Sequence, residues 1–353
     1  MVRKKLLLIF SVCLIFSVCI FICFGTKKNG AQIDSKTERD KLKYSSISSM
    51  AVMNFELGDM YLDLYRINKE RKSLDFEKAV EHYKQGLRLE PENVYYNNRL
   101  GYAFHLERRL KEASEQYTNV LRLDPPQSVT PEEFELAMQL APRLYVTPKE
   151  FFALEDAVVI FHPDQPIIEY SLFWDDDIDF PQDNDPTDHE KVWIEYDPES
   201  GNIVNVYTYF HRAILSTKKS VEDAREHHNR ALINVQWGGH GSLPFGWENI
   251  SRDQIVVKYA YIDKPDAIRN MRNRYQKHVE SIKNPNHPLS KEWPKKFRGS
   301  WQDYTMFTQY IDLTEIIRKK KMVMKSRWSN AVIDKYFLDY QFYPKLEWPS
   351  DIP

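Results

Sequence analysis

A repeat of 34 residues in the N-terminal half constrains the fold more than any other feature of this sequence. Five positions recur at this offset: Ala79, Tyr83, Leu87, Leu89 and Pro91 return as Ala113, Tyr117, Leu121, Leu123 and Pro125. Within each unit the alanine, the tyrosine and the first leucine are four residues apart, which places them on one face of a helix. The proline cannot continue a helix, so each unit is expected to end there. The pattern therefore predicts helical hairpins over residues 50–142.

A second helix is predicted before each unit, and each of these helices carries a Leu-Gly pair, Leu57-Gly58 and Leu100-Gly101. The period, the Leu-Gly pair and the terminal proline resemble the tetratricopeptide repeat. Only two units are visible, whereas about three stacked repeats are usually needed for independent stability. The helix near Pro131 is therefore expected to act as a cap. The resemblance implies either a groove for a protein partner or a structural spacer.

An uncharged apolar run of 19 residues, 6–24, follows a basic N-terminus. A signal-peptide core has about 7–15 residues and a spanning helix needs about 20. We therefore predict a membrane anchor or signal segment over residues 1–28, with the rest of the chain outside the cytoplasm. Secretion after cleavage, or lipoprotein processing at Cys19 or Cys23, is the alternative. The polar residues 29–49 are predicted to be a tether between membrane and body.

Cysteine usage and charge exclude several classes of function for the remainder of the chain. All cysteines lie within the first 25 residues. The folded body therefore uses no disulfide, no thiolate metal site and no cysteine nucleophile. The formal net charge of -2 gives no general attraction to nucleic acid, so no nucleic-acid partner is predicted.

Beyond residue 143 the pattern changes to short runs rich in Val, Ile, Tyr and Trp. These runs are 157–161, 168–174, 192–196, 204–209, 231–237 and 255–262. Because no helices alternate with them, they predict an antiparallel β-sandwich over residues 143–353, with added helices that include a long or broken one from Thr314 to Tyr340. The predicted fold class is thus multidomain α+β: an N-terminal membrane helix, tetratricopeptide-like hairpins, and then the sandwich.

The stretch from residue 175 to residue 190 is the most acidic part of the sequence and contains a histidine. Dense carboxylates beside an imidazole are typical of a site for a hard divalent cation, Ca²⁺ or Mg²⁺. A solvated acidic loop would have the same composition. The candidate metal ligands are Asp177, Asp179, Asp188, His189 and Glu190.

Two later histidines, His211 and His240, follow strand-like runs. In the alternation of each run, the histidine falls on the polar face and at the same end of its strand. If the two strands share a sheet, that end can carry a site, with His211 or His240 as a candidate catalytic residue. Two ordinary surface histidines are the alternative.

The motifs around these residues resemble the superfamily of necrosis-inducing proteins and the related vacuolar-protein-sorting-type domains. They are Ala-Pro-Arg-Leu-Tyr (141–145), Tyr-Ser-Leu-Phe-Trp (170–174), Asp-His-Glu-Lys-Val-Trp-Ile (188–194), Phe-His (210–211) and Gly-His-Gly (239–241). The resemblance spans about residues 140–247. It implies a β-sandwich with a divalent cation in an acidic cavity, which in the cytolysins takes part in recognising glycosylated lipid head groups.

Residue by residue, Asp188 and Glu190 match the acidic positions of the family motif, and His211 and His240 match its two later histidines. His189 stands where tryptophan is usual, and a second register of the alignment leaves its role open. The secreted cytolysins usually carry a disulfide, which this chain lacks.

These features favour a membrane-attached binding protein. Its sandwich would hold a divalent cation and a polar ligand such as a sugar or lipid head group, and residues 50–142 would contact a protein partner. One alternative is a metal-dependent hydrolase that uses the same acidic and histidine residues. Another is a scaffold in which only the repeats bind.

Overall fold

The computed structural model describes residues 35–67, 72–177, 187–210, 213–247, 255–258, 280–281, 284, 286 and 301–349. The predicted membrane segment, residues 1–28, lies outside this set. Among the helices that are described, none is both long enough and apolar enough to span a membrane. The prediction of a fold class with a membrane helix is therefore corrected to α+β.

Helices occupy the first part of the described chain. They are α1 (Ser35–Ile67), α2 (Lys72–Leu89), α3 (Val94–Leu106), α4 (Leu110–Leu123) and α5 (Pro131–Leu140). Of the tether predicted for residues 29–49, residues 29–34 lie outside the described part of the chain, and α1 begins at Ser35. No glycine or proline interrupts residues 35–49, so nothing in the local sequence stops the helix.

The glycines of the two Leu-Gly pairs allow an aromatic ring to approach the preceding helix. A Cβ atom added at Gly101 would lie 2.9 Å from the ring of Tyr117, and one at Gly58 would lie 2.6 Å from the ring of Tyr83. Both distances are too short for a real side chain. The tyrosines that define the 34-residue repeat therefore pack into the space that the glycines leave.

The strands that follow form two sheets. In chain order, the strands are β1 (Arg143–Val146), β2 (Leu154–Phe161), β3 (Ile167–Trp174), β4 (Asp188–Tyr196), β5 (Ile203–Phe210), β6 (Ala213–Leu215), β7 (Leu232–Val235), β8 (Ser242–Pro244), β9 (Ile255–Lys258), β10 (Gln309–Asp312) and β11 (Val323–Lys325). The small sheet has the order β10-β1-β7-β8, and the large sheet β11-β2-β3-β4-β5-β6-β9. β1 pairs with β7 and β11 pairs with β2 in parallel, so both sheets are mixed and the predicted antiparallel sandwich is corrected.

Shorter elements connect and cover these strands. Helix α6 (Lys218–Glu226) follows β6, α7 (Leu313–Lys320) follows β10, and α8 (Ser329–Val332) follows β11 and continues as a π-helical turn, Ile333–Phe337. A 3-10 turn spans Trp301–Tyr304. The helix predicted from Thr314 to Tyr340 is thus broken, and strand β11 lies inside it.

The large sheet is covered on both faces. Val192 and Ile194 of β4 belong to a core between the two sheets, whereas Trp193 belongs to a second core that also contains residues of α1 to α4. Residues Met50–Pro353 form one compact unit, so the helices and the sheets pack as a single body. Strand β3 is buried at all eight positions because both faces of the sheet are covered, and its buried residues include the polar Glu169 and Ser171.

A C-terminal strap, residues 338–348, passes between the helices and β4. The carbonyl of Phe342 accepts a hydrogen bond from His105 Nε2 of α3 at 2.8 Å. On the other side, the carbonyl of Tyr343 accepts from His189 Nδ1 at 3.1 Å, and that of Glu347 accepts from Trp193 Nε1 at 2.8 Å. The strap therefore joins the helical module to the large sheet.

Candidate functional site

Two carboxylates lie side by side at the start of β4. Asp188 and Glu190 are two residues apart and so point to the same side of the strand, the side on which Val192 enters the inter-sheet core. The register pairs Asp188 with Trp174 and Glu190 with Leu172, and both partners are buried in that core. The acidic pair predicted from the sequence therefore lies at one end of the core between the sheets.

His240 reaches this pair from the turn between β7 and β8. Its Nδ1 lies 2.8 Å from Asp188 Oδ2, its Nε2 lies 3.4 Å from Glu150 Oε1, and its ring stacks on Trp174 with centroids 4.3 Å apart. The φ of His240 is +42°, in the left-handed region that residues with a side chain rarely adopt. The turn is held by Gly238, whose N–H donates to Glu150 Oε2 at 2.7 Å. Such strained positions are concentrated at functional sites.

The two carboxylates keep His240 protonated. Burial disfavours the imidazolium, but Glu150 and Asp188 outweigh burial and raise the pKa of His240 to about 10. Burial also opposes the charge of Glu150, yet His240 and the N–H groups of Gly238 and Phe152 hold the pKa of Glu150 below its ordinary value. An imidazolium has two N–H donors and no lone pair to offer. In this state His240 can donate hydrogen bonds but cannot ligate a metal.

Glu190 is paired with Lys345 of the C-terminal strap. Lys345 Nζ lies 3.2 Å from Glu190 Oε1 and 4.7 Å from the ring centroid of Tyr209. Burial raises the pKa of Glu190 to about 8, although Lys345 acts in the opposite direction. The pKa of Lys345 is raised because Glu190 outweighs its burial. We call Glu150, Asp188, Glu190, His240 and Lys345 the polar cluster.

Several buried polar atoms near the polar cluster have no hydrogen-bond partner within the described residues. They are Glu190 Oε2, Trp174 Nε1, Thr208 Oγ1 and Ser242 Oγ, whereas His240 Nε2 faces the carboxylate of Glu150 at 3.4 Å. Thr208 pairs with Val192, and Ser242 with Val235, and both partners point into the core between the sheets. The two hydroxyls therefore face the same interior as Glu190. A buried polar group without a partner costs about 1–3 kcal/mol, so such a group of atoms indicates a place for water or a ligand.

His189, predicted as a metal ligand, lies on the opposite face of β4. Its ring stacks on Phe173 with centroids 4.4 Å apart, and its Nδ1 donates to the carbonyl of Tyr343 in the strap. Burial, and then the charges of Lys191 and Lys345, lower the pKa of His189 well below its ordinary value. The sheet separates this neutral ring from Asp188 and Glu190, so one ion cannot bind all three.

The other predicted site residues are not brought to the polar cluster by the described structure. Asp177 follows β3, where its backbone N–H donates to Asp176 Oδ1 at 2.9 Å. Asp179 and His211 lie outside the described residues. In the ranges that the structure describes, no three His, Cys, Asp or Glu side chains are arranged to hold a metal ion.

A second buried ion pair lies on the helix-facing side of the large sheet. Lys191 Nζ is 2.9 Å from Glu169 Oε1 and 3.0 Å from Ser329 Oγ, and Lys191 and Glu169 are both 0% exposed. Glu169 also accepts from Ser171 Oγ at 2.6 Å and from Trp193 Nε1 at 3.2 Å. Each charge has several partners, which identifies this network as structural.

Glu150 and Lys345 could not be identified as site residues from the sequence. Each lies in an irregular segment between aromatic residues, and each reaches the site only because the chain folds back over a long sequence distance. The one available signal is a charged residue beside bulky apolar ones: Glu150 precedes Phe151 and Phe152, and Lys345 lies three residues before Trp348. That signal does not identify a partner.

Comparisons of the chain with protein-family models, with curated proteins and with solved structures found no match. The resemblances to tetratricopeptide repeats and to the necrosis-inducing superfamily therefore remain predictions. What the site can do has to be argued from its own geometry.

Proposed function

We propose that this protein is a binding protein whose polar cluster takes a divalent cation together with a polar ligand. The observation that carries the proposal is the set of buried, unsatisfied polar atoms beside Asp188 and Glu190 at the end of the inter-sheet core. A fold that needs this end of the core only for packing would be more stable with apolar residues there. The retained polar atoms are therefore best explained by a ligand that completes their hydrogen bonds.

The donor set fits a hard cation. Asp188 and Glu190 offer carboxylate oxygens on one side of β4, and Glu190 Oε2 has no hydrogen-bond partner among the described residues. Ca²⁺ and Mg²⁺ prefer such oxygen ligands and retain some waters. A cation bound here would polarise a ligand oxygen. His240, held protonated between Glu150 and Asp188, would keep the Asp188 carboxylate in place beside the cation.

Calorimetric titration of Ca²⁺, Mg²⁺, Mn²⁺ and Zn²⁺ into the full-length chain tests this proposal. The variant Asp188→Asn/Glu190→Gln keeps the shape of both side chains and removes their charges. A matched control is Asp197→Asn/Glu199→Gln, which makes the same change at the same spacing in the turn between β4 and β5. We expect the wild type and the control to bind and the site variant to lose at least about tenfold in affinity. Equal binding by all three would reject the proposal.

A second function, acid–base catalysis, is favoured by the pairing of Asp188 with His240. Asp188 Oδ2 accepts from His240 Nδ1 at 2.8 Å, and Nε2 lies 3.4 Å from Glu150 Oε1. Because His240 is protonated between these carboxylates, it would act as a general acid and not as a general base. The test is metal-dependent turnover of a panel of esters, phosphoesters and glycosides. Turnover that His240→Gln abolishes would make the protein an enzyme, whereas cation binding without turnover would leave it a binding protein.

A further inference from the structure

Lys345 enters the polar cluster from outside the two sheets. It belongs to the C-terminal strap, and its side chain is 14% exposed. Its Nζ lies 3.2 Å from Glu190 Oε1 and over the ring of Tyr209, at 4.7 Å from the centroid. The carboxylate of Glu190 and the aromatic face of Tyr209 both attract positive charge, so the ammonium lies where a cation is favoured.

The strap holds Lys345 in place through contacts that do not involve the ion pair. The carbonyl of Lys345 accepts from Asn330 Nδ2 at 2.9 Å. Two residues earlier, the carbonyl of Tyr343 accepts from His189; two residues later, Glu347 accepts from the side chain of Asn98 at 3.0 Å. The backbone on both sides of Lys345 is therefore anchored independently of the ion pair, which keeps the ammonium within reach of Glu190.

A free cation at this site would need the same carboxylate. Glu190 offers two oxygens, of which Lys345 contacts Oε1 and no described residue contacts Oε2. A divalent cation within about 4 Å of the ammonium is repelled by it, and this repulsion is strong in a partly buried site. A cation therefore binds Glu190 either against this repulsion or after displacing the ammonium.

We propose that Lys345 is a specificity-determining residue of the polar cluster: it is a tethered cation that occupies Glu190 and weakens the binding of free cations there. This inference rests on the proposed cation-binding function. It assigns the strap a role at the site, since the strap decides how much of the charge of Glu190 is available to a ligand. It also means that only a cation with strong affinity for carboxylates can compete.

The test is the dissociation constant for Mn²⁺ and Ca²⁺, measured by calorimetry on full-length wild type, Lys345→Met and Lys345→Arg. Lys335→Met is the matched control, because Lys335 is exposed and bonds Ser114 Oγ, away from the polar cluster. We expect Lys345→Met to bind at least about tenfold more tightly than the wild type, and the arginine variant and the control to bind like the wild type. Unchanged or weaker binding by Lys345→Met, with normal binding by the wild type, would overturn this inference alone.

The remaining outcomes separate this inference from the proposed function. Binding by Lys345→Met without binding by the wild type would support the role of Lys345 and reject cation binding as the function of the natural chain. Absence of binding in both would reject both. If Lys345→Met is too unstable, Lys345→Gln gives the same test, since its amide can still donate to Glu190. The double variant Lys345→Met/Glu190→Gln should show no gain in affinity; a gain would contradict the assignment to Glu190.

Discussion

The two faces of the large sheet both bury charged side chains, but they satisfy these charges to different degrees. On the helix-facing side, Lys191 and Glu169 are joined by Ser171, Ser329 and Trp193 in a network with several hydrogen bonds to each charge. On the side that faces the small sheet, the polar cluster pairs its charges, but Glu190 Oε2 has no hydrogen-bond partner in the described residues. The helix-facing side also has buried polar atoms without such a partner, His189 Nε2 and Asn330 Oδ1. The difference therefore lies in the charged groups: both oxygens of Glu169 accept hydrogen bonds, whereas one oxygen of Glu190 does not.

The two buried histidines of this region show the same difference. His189 is surrounded by aromatic rings and a carbonyl, and its pKa is lowered, so it is neutral. His240 lies between two carboxylates, and its pKa is raised to about 10, so it is charged. The same residue type is buried on both faces of the large sheet, and its neighbours decide whether it is neutral or charged.

The largest effect is expected from breaking the helix-facing network. Lys191→Met leaves Glu169 as a buried carboxylate without its counter-ion, which should lower the free energy of unfolding by about 3–5 kcal/mol. Lys191→Met/Glu169→Gln should recover much of this loss because no charge stays unpaired. Urea unfolding gives both values. A loss below about 1 kcal/mol in the single variant would contradict a structural role for the network.

The pH dependence of stability should separate the two histidines. The lowered pKa of His189 gives stability that is present above its unfolded pKa, about 6.5, and is lost as pH falls. The raised pKa of His240 gives stability that is present below pH 6.5 and is lost as pH rises through about 10, by about 1.4 kcal/mol per pKa unit. Unfolding at pH 5, 7 and 9.5 tests this: His189→Gln should flatten the acid side of the profile and His240→Gln the alkaline side. The reverse assignment would contradict it.

A pair of tryptophans allows a matched comparison of the two faces. Trp193 Nε1 donates to Glu169 and to the carbonyl of Glu347, whereas Trp174 Nε1 donates to no described residue. Both side chains are buried, so replacement by phenylalanine removes similar volume. Trp193→Phe should therefore cost about 1–3 kcal/mol more than Trp174→Phe in chemical unfolding. Equal costs would show that the described hydrogen bonds do not distinguish the faces.

A pair of serines gives the smallest expected effects. Ser171→Ala removes a hydrogen bond to Glu169 and should cost about 1 kcal/mol. Ser242→Ala removes a buried hydroxyl that has no described partner, and its effect should lie within about 0.5 kcal/mol or be stabilising. Thermal unfolding without added cation is the measurement. A clear loss for Ser242→Ala would mean that this hydroxyl already takes part in the folded network.

The strands and the face of each of their side chains could be predicted from the sequence. Which distant segments pair with each other could not. The strand-like runs correspond to β2, β3, β4, β5, β7 and β9, and period two separates Asp188 and Glu190 from His189. The parallel pairings of β1 with β7 and of β11 with β2 join segments that are far apart in the chain, and local sequence carries no signal for such pairings. Glu150 and Lys345 were missed for the same reason.

Anomalous diffraction from crystals grown with Mn²⁺ shows whether the polar cluster is a ligand site. We expect an anomalous peak within coordination distance, about 2.2 Å, of oxygens of Asp188 and Glu190, with waters or a polar ligand beside His240 and Ser242. A fully occupied Mn²⁺ position elsewhere in the molecule, with the cluster filled only by Lys345 and the packed side chains, would contradict it.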